Sequence, residues 1–310
     1  MRALAGSLWG GCPGAARPAA GAALALVAAL GCDLPHPASP DPYWVGIASL
    51  LEVGEREAYI LARYQAWHVS EFDPRLGREP AIAVSLEGPG WTVPLADTVV
   101  QRNCGLLGVF NFLDAKGDVC LRGTLPEAIR SGVEYRLSGV TEHGPFTGRT
   151  VAPQPTVLLE PESDTVLFRA IDMWVPNSGL WVPVRYRFGS DVGTRIGEMG
   201  GTVTPFRTTI LVGAESGRVR FDPDTMVRSP DPVAVPVPMR LAGVGRNYTR
   251  FLENTVPLRN DVDHFLVLRP WPETGIEGEG VYGYFDGVSF SRTVTVVVEF
   301  PGVEEDEPGS

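Results

Sequence analysis

Glycine and proline recur every few residues along this chain and leave no room for a long helix. The 310 residues include 36 glycines and 28 prolines. Proline lacks an amide donor and clashes with the preceding helical turn, while glycine weakens a helix through its backbone entropy. The short segments between them are rich in β-branched residues, and several alternate apolar with polar side chains, as half-buried strands do. We therefore predict an all-β fold.

These segments predict individual strands, and one further segment predicts a helix. Tyr248, Phe251 and Leu252 are spaced so that they would share one helical face, and Asn247 would cap the first turn. A strand is the alternative for residues 247–255. The predicted strands span residues 81–88, 133–140, 164–171, 180–188, 217–221, 264–270 and 291–300.

The N-terminus carries the pattern of a bacterial secretory signal. Residues 1–31 contain two arginines, no acidic residue and an apolar stretch that is too short to span a bilayer. Residues 29–32 read ALGC and resemble a lipobox, although Ala29 stands where that motif usually has leucine. We predict a lipoprotein that is acylated at Cys32 and has the lipid bilayer as a partner. An ordinary secretory signal, or a short anchor left uncleaved, is the alternative.

Prolines also divide the rest of the chain. Four of them lie between Asp33 and Pro42, which is typical of an extended tether. Pro153, Pro155 and Pro161 mark a boundary between two β-sandwich domains in tandem. The predicted parts are a signal peptide (1–31), a tether (32–42), a first sandwich (43–152), a linker (153–163), a second sandwich (164–300) and an acidic tail (301–310).

Two cysteines remain once the signal and the lipid site are set aside. Cys104 and Cys120 belong to a chain that we assign to an oxidising envelope compartment, where disulfides form. A disulfide between them would close a hairpin and contribute about 3 kcal/mol in the chain-entropy model. A structural zinc site needs four ligands, and no histidine lies near either cysteine, so we predict no metal. Two free thiols are the alternative.

The charge of the chain excludes nucleic acid as a partner. The net charge is −11 at neutral pH, and the basic residues form no cluster that would overcome repulsion from a phosphate backbone. The sequence contains none of the short catalytic patterns of zinc proteases, α/β-hydrolases or phosphate-binding loops, and we assign no cofactor.

Two pairs of carboxylates are the strongest candidates for chemistry. Asp222 and Asp224 are two residues apart, as are Asp261 and Asp263. Glycoside hydrolysis needs only two carboxylates, and a loop with such a pair could also bind calcium. We interpret both pairs as turn residues, because neither belongs to a recognisable ligand loop.

Tryptophans give the best indication of a binding surface. Trp271 lies between prolines in a loop-like segment, and an exposed tryptophan can stack on a sugar or anchor a protein partner. Trp174 and Trp181 flank a Pro-Asn-Ser-Gly turn, and we predict that both fill the core. Trp271 is therefore the candidate binding residue.

Tyr135 is predicted to have a structural role. It follows the turn at Gly132 at the start of a strand, as does the corner tyrosine of immunoglobulin-like folds, whose hydroxyl bonds to nearby backbone. An ordinary half-buried strand tyrosine is the alternative.

Three features together resemble a family of bacterial envelope lipoproteins known mainly as a domain of unknown function, with an N-terminal immunoglobulin- or transthyretin-like domain. They are the lipobox cysteine, the passage SGVEYRLSG…FTGRTVAPQP at 131–155, and the segment 254–296, in which a glycine-rich turn leads to Gly-Tyr-Phe and a final strand. The resemblance implies an association with outer-membrane uptake systems and brings no catalytic residues. It favours the outer membrane, whereas Asp33 after the cysteine signals inner-membrane retention in some bacteria.

These observations predict a non-catalytic binding or assembly module in the bacterial envelope, accessory to an outer-membrane transporter, with an envelope protein or a glycan as its partner. The alternative is a glycan-directed envelope hydrolase that uses the paired carboxylates.

Overall fold

The computed structural model describes residues 43–66, 78–98, 104, 117–169, 180–200, 207–221, 233–257, 265–267 and 274–300. The protein has an all-β fold of the sandwich type, as predicted. The strands run over Tyr43–Glu52 (β1), Glu57–Ala66 (β2), Ile82–Gly88 (β3), Trp91–Thr98 (β4), Val119–Thr124 (β5), Glu134–Thr141 (β6), Gly144–Val151 (β7), Val157–Glu160 (β8), Thr165–Arg169 (β9), Leu180–Arg187 (β10), Thr194–Met199 (β11), Arg207–Ile210 (β12), Ser216–Phe221 (β13), Val233–Val244 (β14), Thr255–Pro257 (β15), Phe265–Val267 (β16), Ile276–Gly278 (β17), Val281–Phe290 (β18) and Val294–Phe300 (β19).

Every strand predicted above coincides with an observed one, namely β3, β6, β9, β10, β13, β16 and β19. Their bounds differ from the predicted bounds by a few residues. Alternation explains this agreement: in β6, for example, Tyr135 and Leu137 are buried and Arg136 between them is exposed. Local sequence therefore predicts these elements well.

The predicted helix is present as α1, Arg246–Asn254. Tyr248 and Phe251 are buried on its inner face, where their rings lie 5.1 and 4.8 Å from the ring of Tyr284. The predicted cap is wrong, because the Asn247 side-chain amide donates to the carbonyl oxygens of Arg149 and Phe285 instead. Over the part of the chain that the structure describes, no helix is long and apolar enough to cross a membrane.

The largest sheet has 14 strands and mixes parallel with antiparallel pairs. Its main path runs β12-β11-β14-β18-β1-β2-β5-β4-β3-β6-β7-β17, and β19 and β9 branch from β14. β18 lies between β14, with which it is antiparallel, and β1, with which it is parallel. A strand from near the C-terminus thus pairs with the first described strand. Two smaller sheets have the orders β13-β10-β8 and β15-β16.

The buried apolar residues of the described part of the chain form three clusters, all in the compact unit that begins at Tyr43. The first draws mainly on β1 to β7 and adds Ile276, Val281 and Phe285, while the second draws on β8 to β14 and β19. The third lies between α1, β1, β2, β5, β11, β14 and β18 and also contains Cys104. The predicted linker 153–163 contains β8, which pairs with β10. The first two clusters divide near this linker. However, β18 pairs both with β1 on one side of the division and with β14 on the other. The domain boundaries at 152 and 164 stay a prediction.

Two structural predictions are confirmed. The Tyr135 hydroxyl accepts a hydrogen bond of 2.8 Å from the backbone amide of Arg130, and the side chain is fully buried. Cys104 and Cys120 form a disulfide with a Cα–Cα distance of 5.8 Å, and both lie in the third cluster. The hairpin predicted between the two cysteines lies largely outside the described residues.

Candidate functional site

A cleft of about 580 Å³ opens where β7, α1, β17 and the turn before β11 meet. Nine of the twelve described residues that line it have polar or charged side chains, two are glycines, and Val151 is apolar. We call it the arginine cleft because three arginines line it, from β7 and from α1. The charged residues in its lining are Arg149, Arg246, Arg250, Asp191, Glu277 and Asp286.

Asp286 lies in the floor of the arginine cleft and is 1 % exposed. It belongs to β18, where it interrupts an otherwise largely apolar run. One carboxylate oxygen accepts hydrogen bonds of 2.8 Å from the Thr150 hydroxyl and from the Gly287 amide. The other accepts one of 2.8 Å from the amide of Tyr248 in the first turn of α1. Asp286 therefore joins β7, β18 and α1.

Burial controls the titration of Asp286. Removal from water raises the pKa of this carboxyl to about 6, and the hydrogen bonds from Tyr248, Gly287 and Thr150 oppose that shift. Both oxygens are engaged by the chain, so this carboxylate is arranged to hold structure together rather than to exchange protons with a bound molecule.

Glycines let the backbone close around this carboxylate. A Cβ on Gly245 would overlap the carboxylate of Asp286, and a Cβ on Gly275 would overlap the side-chain amide of Asn247. Gly275 also has a φ of +81°, which favours glycine. The cleft floor therefore depends on glycine at both positions.

Among the described contacts, Arg149 and Arg246 at the rim each make one polar contact through the guanidinium. Arg149 pairs through Nε with Glu134 at 2.9 Å. The Arg149 side chain is 71 % exposed, so this ion pair lies at the surface. Arg246 donates to the carbonyl oxygen of Ser190 at 3.3 Å. Glu134 also pairs with Arg136, and these contacts lower the pKa of the Glu134 carboxyl, with Arg136 the larger cause.

Two other buried carboxylates lie away from the arginine cleft and pair with arginines. Asp118 accepts from Arg63 at 2.9 Å, and burial raises its pKa to about 6 against the opposing effect of Arg63. Glu198 is fully buried and accepts from Arg240 at 2.8 Å, while the Arg240 guanidinium lies 3.6 Å from the Phe290 ring centroid. These pairs cross between neighbouring strands and support the sheet.

The structure places the sequence-predicted site residues unevenly. Cys104 and Cys120 are paired, as described above. Trp181 was predicted in the core but is half-buried, with the Arg220 guanidinium 5.9 Å from its ring centroid. It lies on β10 next to Val182, which is fully buried. The residues that fall outside the described part of the chain are Cys32, Trp174, Asp222, Asp224, Asp261, Asp263 and Trp271.

Sequence reasoning missed the residues of the arginine cleft. One signal was available, because an aspartate within the run VYGYFDGVSF is unusual for a buried strand. Nothing local marks Arg149 or Arg246, which come together only through long-range pairing. Across the described ranges, no three histidine, cysteine or acidic side chains converge as a metal site would require.

Comparisons with known proteins identify no family for this chain. No family model matches the sequence, and no curated protein matches it. Among solved structures, the chain is similar to one titled "Anomalous substructure of Titin-A168169", at 9 % identity and a TM-score of 0.20, over 82 % of this chain and 96 % of that chain. A TM-score this low does not indicate a common fold.

Proposed function

We propose that this protein is a lipid-anchored envelope protein that acts as a non-catalytic binding module, with the arginine cleft as its binding site. One observation carries the proposal: the cleft is open and polar, and the carboxylate in its floor already has both oxygens bonded to the chain. A pocket with convergent polar groups is suited to binding.

The same observation disfavours hydrolysis at this cleft. A general acid or base must reach the reacting proton directly or through one water. Asp286 instead bonds to Thr150, Tyr248 and Gly287, and its side chain is buried. The alternative of a glycan hydrolase depends on the paired carboxylates of 222–224 and 261–263, which lie outside the described residues.

The anchoring part of the proposal rests on the sequence. Cys32 ends a signal-like segment, and the tether 32–42 leads to β1. Acyl chains on Cys32 would hold the protein at a membrane, since each buried methylene contributes about 0.8 kcal/mol. We favour the outer membrane, with an envelope protein or a glycan as the partner of the cleft.

The lipid site has a direct test. We expect wild-type protein to incorporate a labelled fatty acid in a bacterial host and Cys32→Ala to incorporate none, because acylation needs the thiol. Cys12→Ala is the matched control, since Cys12 lies within the predicted signal and is removed with it. Equal labelling of wild type and Cys32→Ala would contradict the anchor.

The binding function is tested by site-specific photocrosslinking in intact cells. Val151 lines the arginine cleft and is 46 % exposed, while Leu167 is 55 % exposed and lies outside the cleft lining. We expect a crosslinker at position 151 to give a discrete adduct with an envelope component, and the same crosslinker at position 167 to give none. Identical adducts from both positions, or turnover of glycans by the purified protein, would overturn the proposal.

A further inference from the structure

We propose that the arginine cleft binds a small hydroxylated molecule through an oxyanion group, a carboxylate or a phosphate, held by the guanidinium groups of Arg149 and Arg246. This inference rests on the proposed function, because it names the ligand class of the same site.

The size and polarity of the cleft define the kind of molecule. Its volume of about 580 Å³ lies within the range of small-molecule sites and exceeds what an inorganic ion would fill. Charged and hydroxyl-bearing side chains dominate the lining, with Val151 as the apolar contribution among the described residues. A polar molecule such as a sugar acid or sugar phosphate matches this lining, whereas an apolar molecule would leave the polar groups without partners.

The arginines supply the charge and the donors. A guanidinium has five N–H donors and matches the geometry of carboxylates and phosphates. In the described contacts, Arg149 uses its Nε on Glu134, and Arg246 uses one terminal nitrogen on the Ser190 carbonyl. These contacts leave further N–H donors on both guanidinium groups, and both arginines line the cleft.

The backbones that carry these arginines are fixed relative to each other. The Asn247 side chain donates to the Arg149 carbonyl oxygen at 2.9 Å, which ties α1 to β7. Asp286 ties the same two elements through Thr150 and Tyr248. Pre-positioned donors lose less freedom when a ligand binds, so this arrangement favours recognition.

The acidic residues of the lining fit the same ligand. The charge of Asp286 is taken up by hydrogen bonds from Thr150, Tyr248 and Gly287. Asp191 accepts from the Gln154 backbone amide at 3.0 Å through Oδ2, and its buried Oδ1, which has no hydrogen-bond partner among the described residues, can accept from a ligand hydroxyl. Glu277 is exposed in the lining and can accept from a ligand hydroxyl. The oxyanion would therefore meet the arginines while hydroxyl groups face Glu277.

Calorimetric titration of the full chain in detergent tests the ligand class. Glucuronate and glucose 6-phosphate carry the two oxyanions on the same sugar ring, and glucose is the uncharged control. We expect at least one charged sugar to bind about tenfold or more tightly than glucose, because a hydrogen bond to a charged group is worth that much. The stronger of the two identifies the oxyanion. If neither exceeds glucose, the inference is wrong.

Arginine variants locate the site. We expect Arg149→Gln and Arg246→Gln each to weaken binding of the preferred sugar by about tenfold, while unfolding curves stay unchanged. Arg136→Gln is the matched control, because Arg136 pairs with the same Glu134 at 2.8 Å but does not line the cleft. An equal loss in Arg136→Gln would overturn the inference. A specific adduct at position 151 without charged-sugar binding would leave the binding module standing and refute only this ligand class.

Discussion

Gly283→Ala is expected to destabilise the folded protein strongly. Gly283 pairs with Ile47 where β18 runs parallel to β1, and its φ is +140°. A Cβ at this position would overlap the backbone carbonyl of Ile47. Overpacking costs about 1–3 kcal/mol and a left-handed residue about 1–2 kcal/mol, so we expect a loss of about 4 kcal/mol. A domain has only about 5–15 kcal/mol of total stability.

The overlap is severe because it involves backbone on both sides. A clash with a flexible side chain could relax by rotation, but Ile47 is held in the ladder between β18 and β2. Moving it would disturb pairing on both sides of β1, and Ile47 is itself buried in the first cluster. The strand that joins the two ends of the described chain therefore requires glycine here.

Denaturant unfolding measures the effect, and Gly144→Ala is the matched control. Gly144 has a similar φ of +132°, but a Cβ there would meet nothing within 4 Å. We expect the control to lose only the conformational part, about 1–2 kcal/mol. Comparable losses in the two variants would show that backbone strain alone, rather than the contact with β1, limits position 283.

The contribution of Asp286 to the stability of the wild-type protein is expected to fall as the pH rises from about 4 to above 6. Burial raises the pKa of Asp286 from 3.8 to about 6, so the folded state binds this proton more tightly than the unfolded state does. The stabilising contribution is fully present below the unfolded pKa and is lost as the pH rises through the folded pKa. A shift of this size corresponds to about 3 kcal/mol.

Asp286→Asn tests the assignment of this pH dependence, since an amide does not titrate. We expect the free energy of unfolding of this variant to depend less on pH between 4 and 7 than that of wild type. Burial also raises the pKa of Asp118, so Asp118→Asn should remove a separate part of the pH dependence of the free energy of unfolding. If Asp286→Asn retains the full wild-type slope, Asp286 is not the group that titrates.

The Asp286 variant also reports on the arginine cleft. Its carboxylate connects β7 to α1, the elements that carry Arg149 and Arg246. An asparagine has one acceptor oxygen in place of two, so at least one buried donor loses its partner. We therefore expect Asp286→Asn to weaken both binding at the cleft and the stability of the protein. The Arg149→Gln and Arg246→Gln variants, in contrast, are expected to weaken binding alone.

Local sequence by itself determined the elements of this protein. Glycine and proline kept the segments short, and alternation in stretches such as 133–140 and 291–300 predicted strands that the structure contains. The spacing of Tyr248, Phe251 and Leu252 predicted α1, and the position of Tyr135 after its turn predicted its hydroxyl bond. These features depend on neighbours within a few residues, and a sequence records such neighbours directly.

Only the tertiary structure decided how the elements combine. The pairing of β18 with β1 joins residues far apart in sequence, and the hydrogen bond from Thr150 to Asp286 spans 136 positions. Asn247 was predicted to cap α1, but Asp286 from β18 accepts the Tyr248 amide instead. Many distant pairings satisfy the same alternation of side chains, and packing selects among them. The arginine cleft exists only after that selection, because its arginines, its floor and its walls come from separate elements.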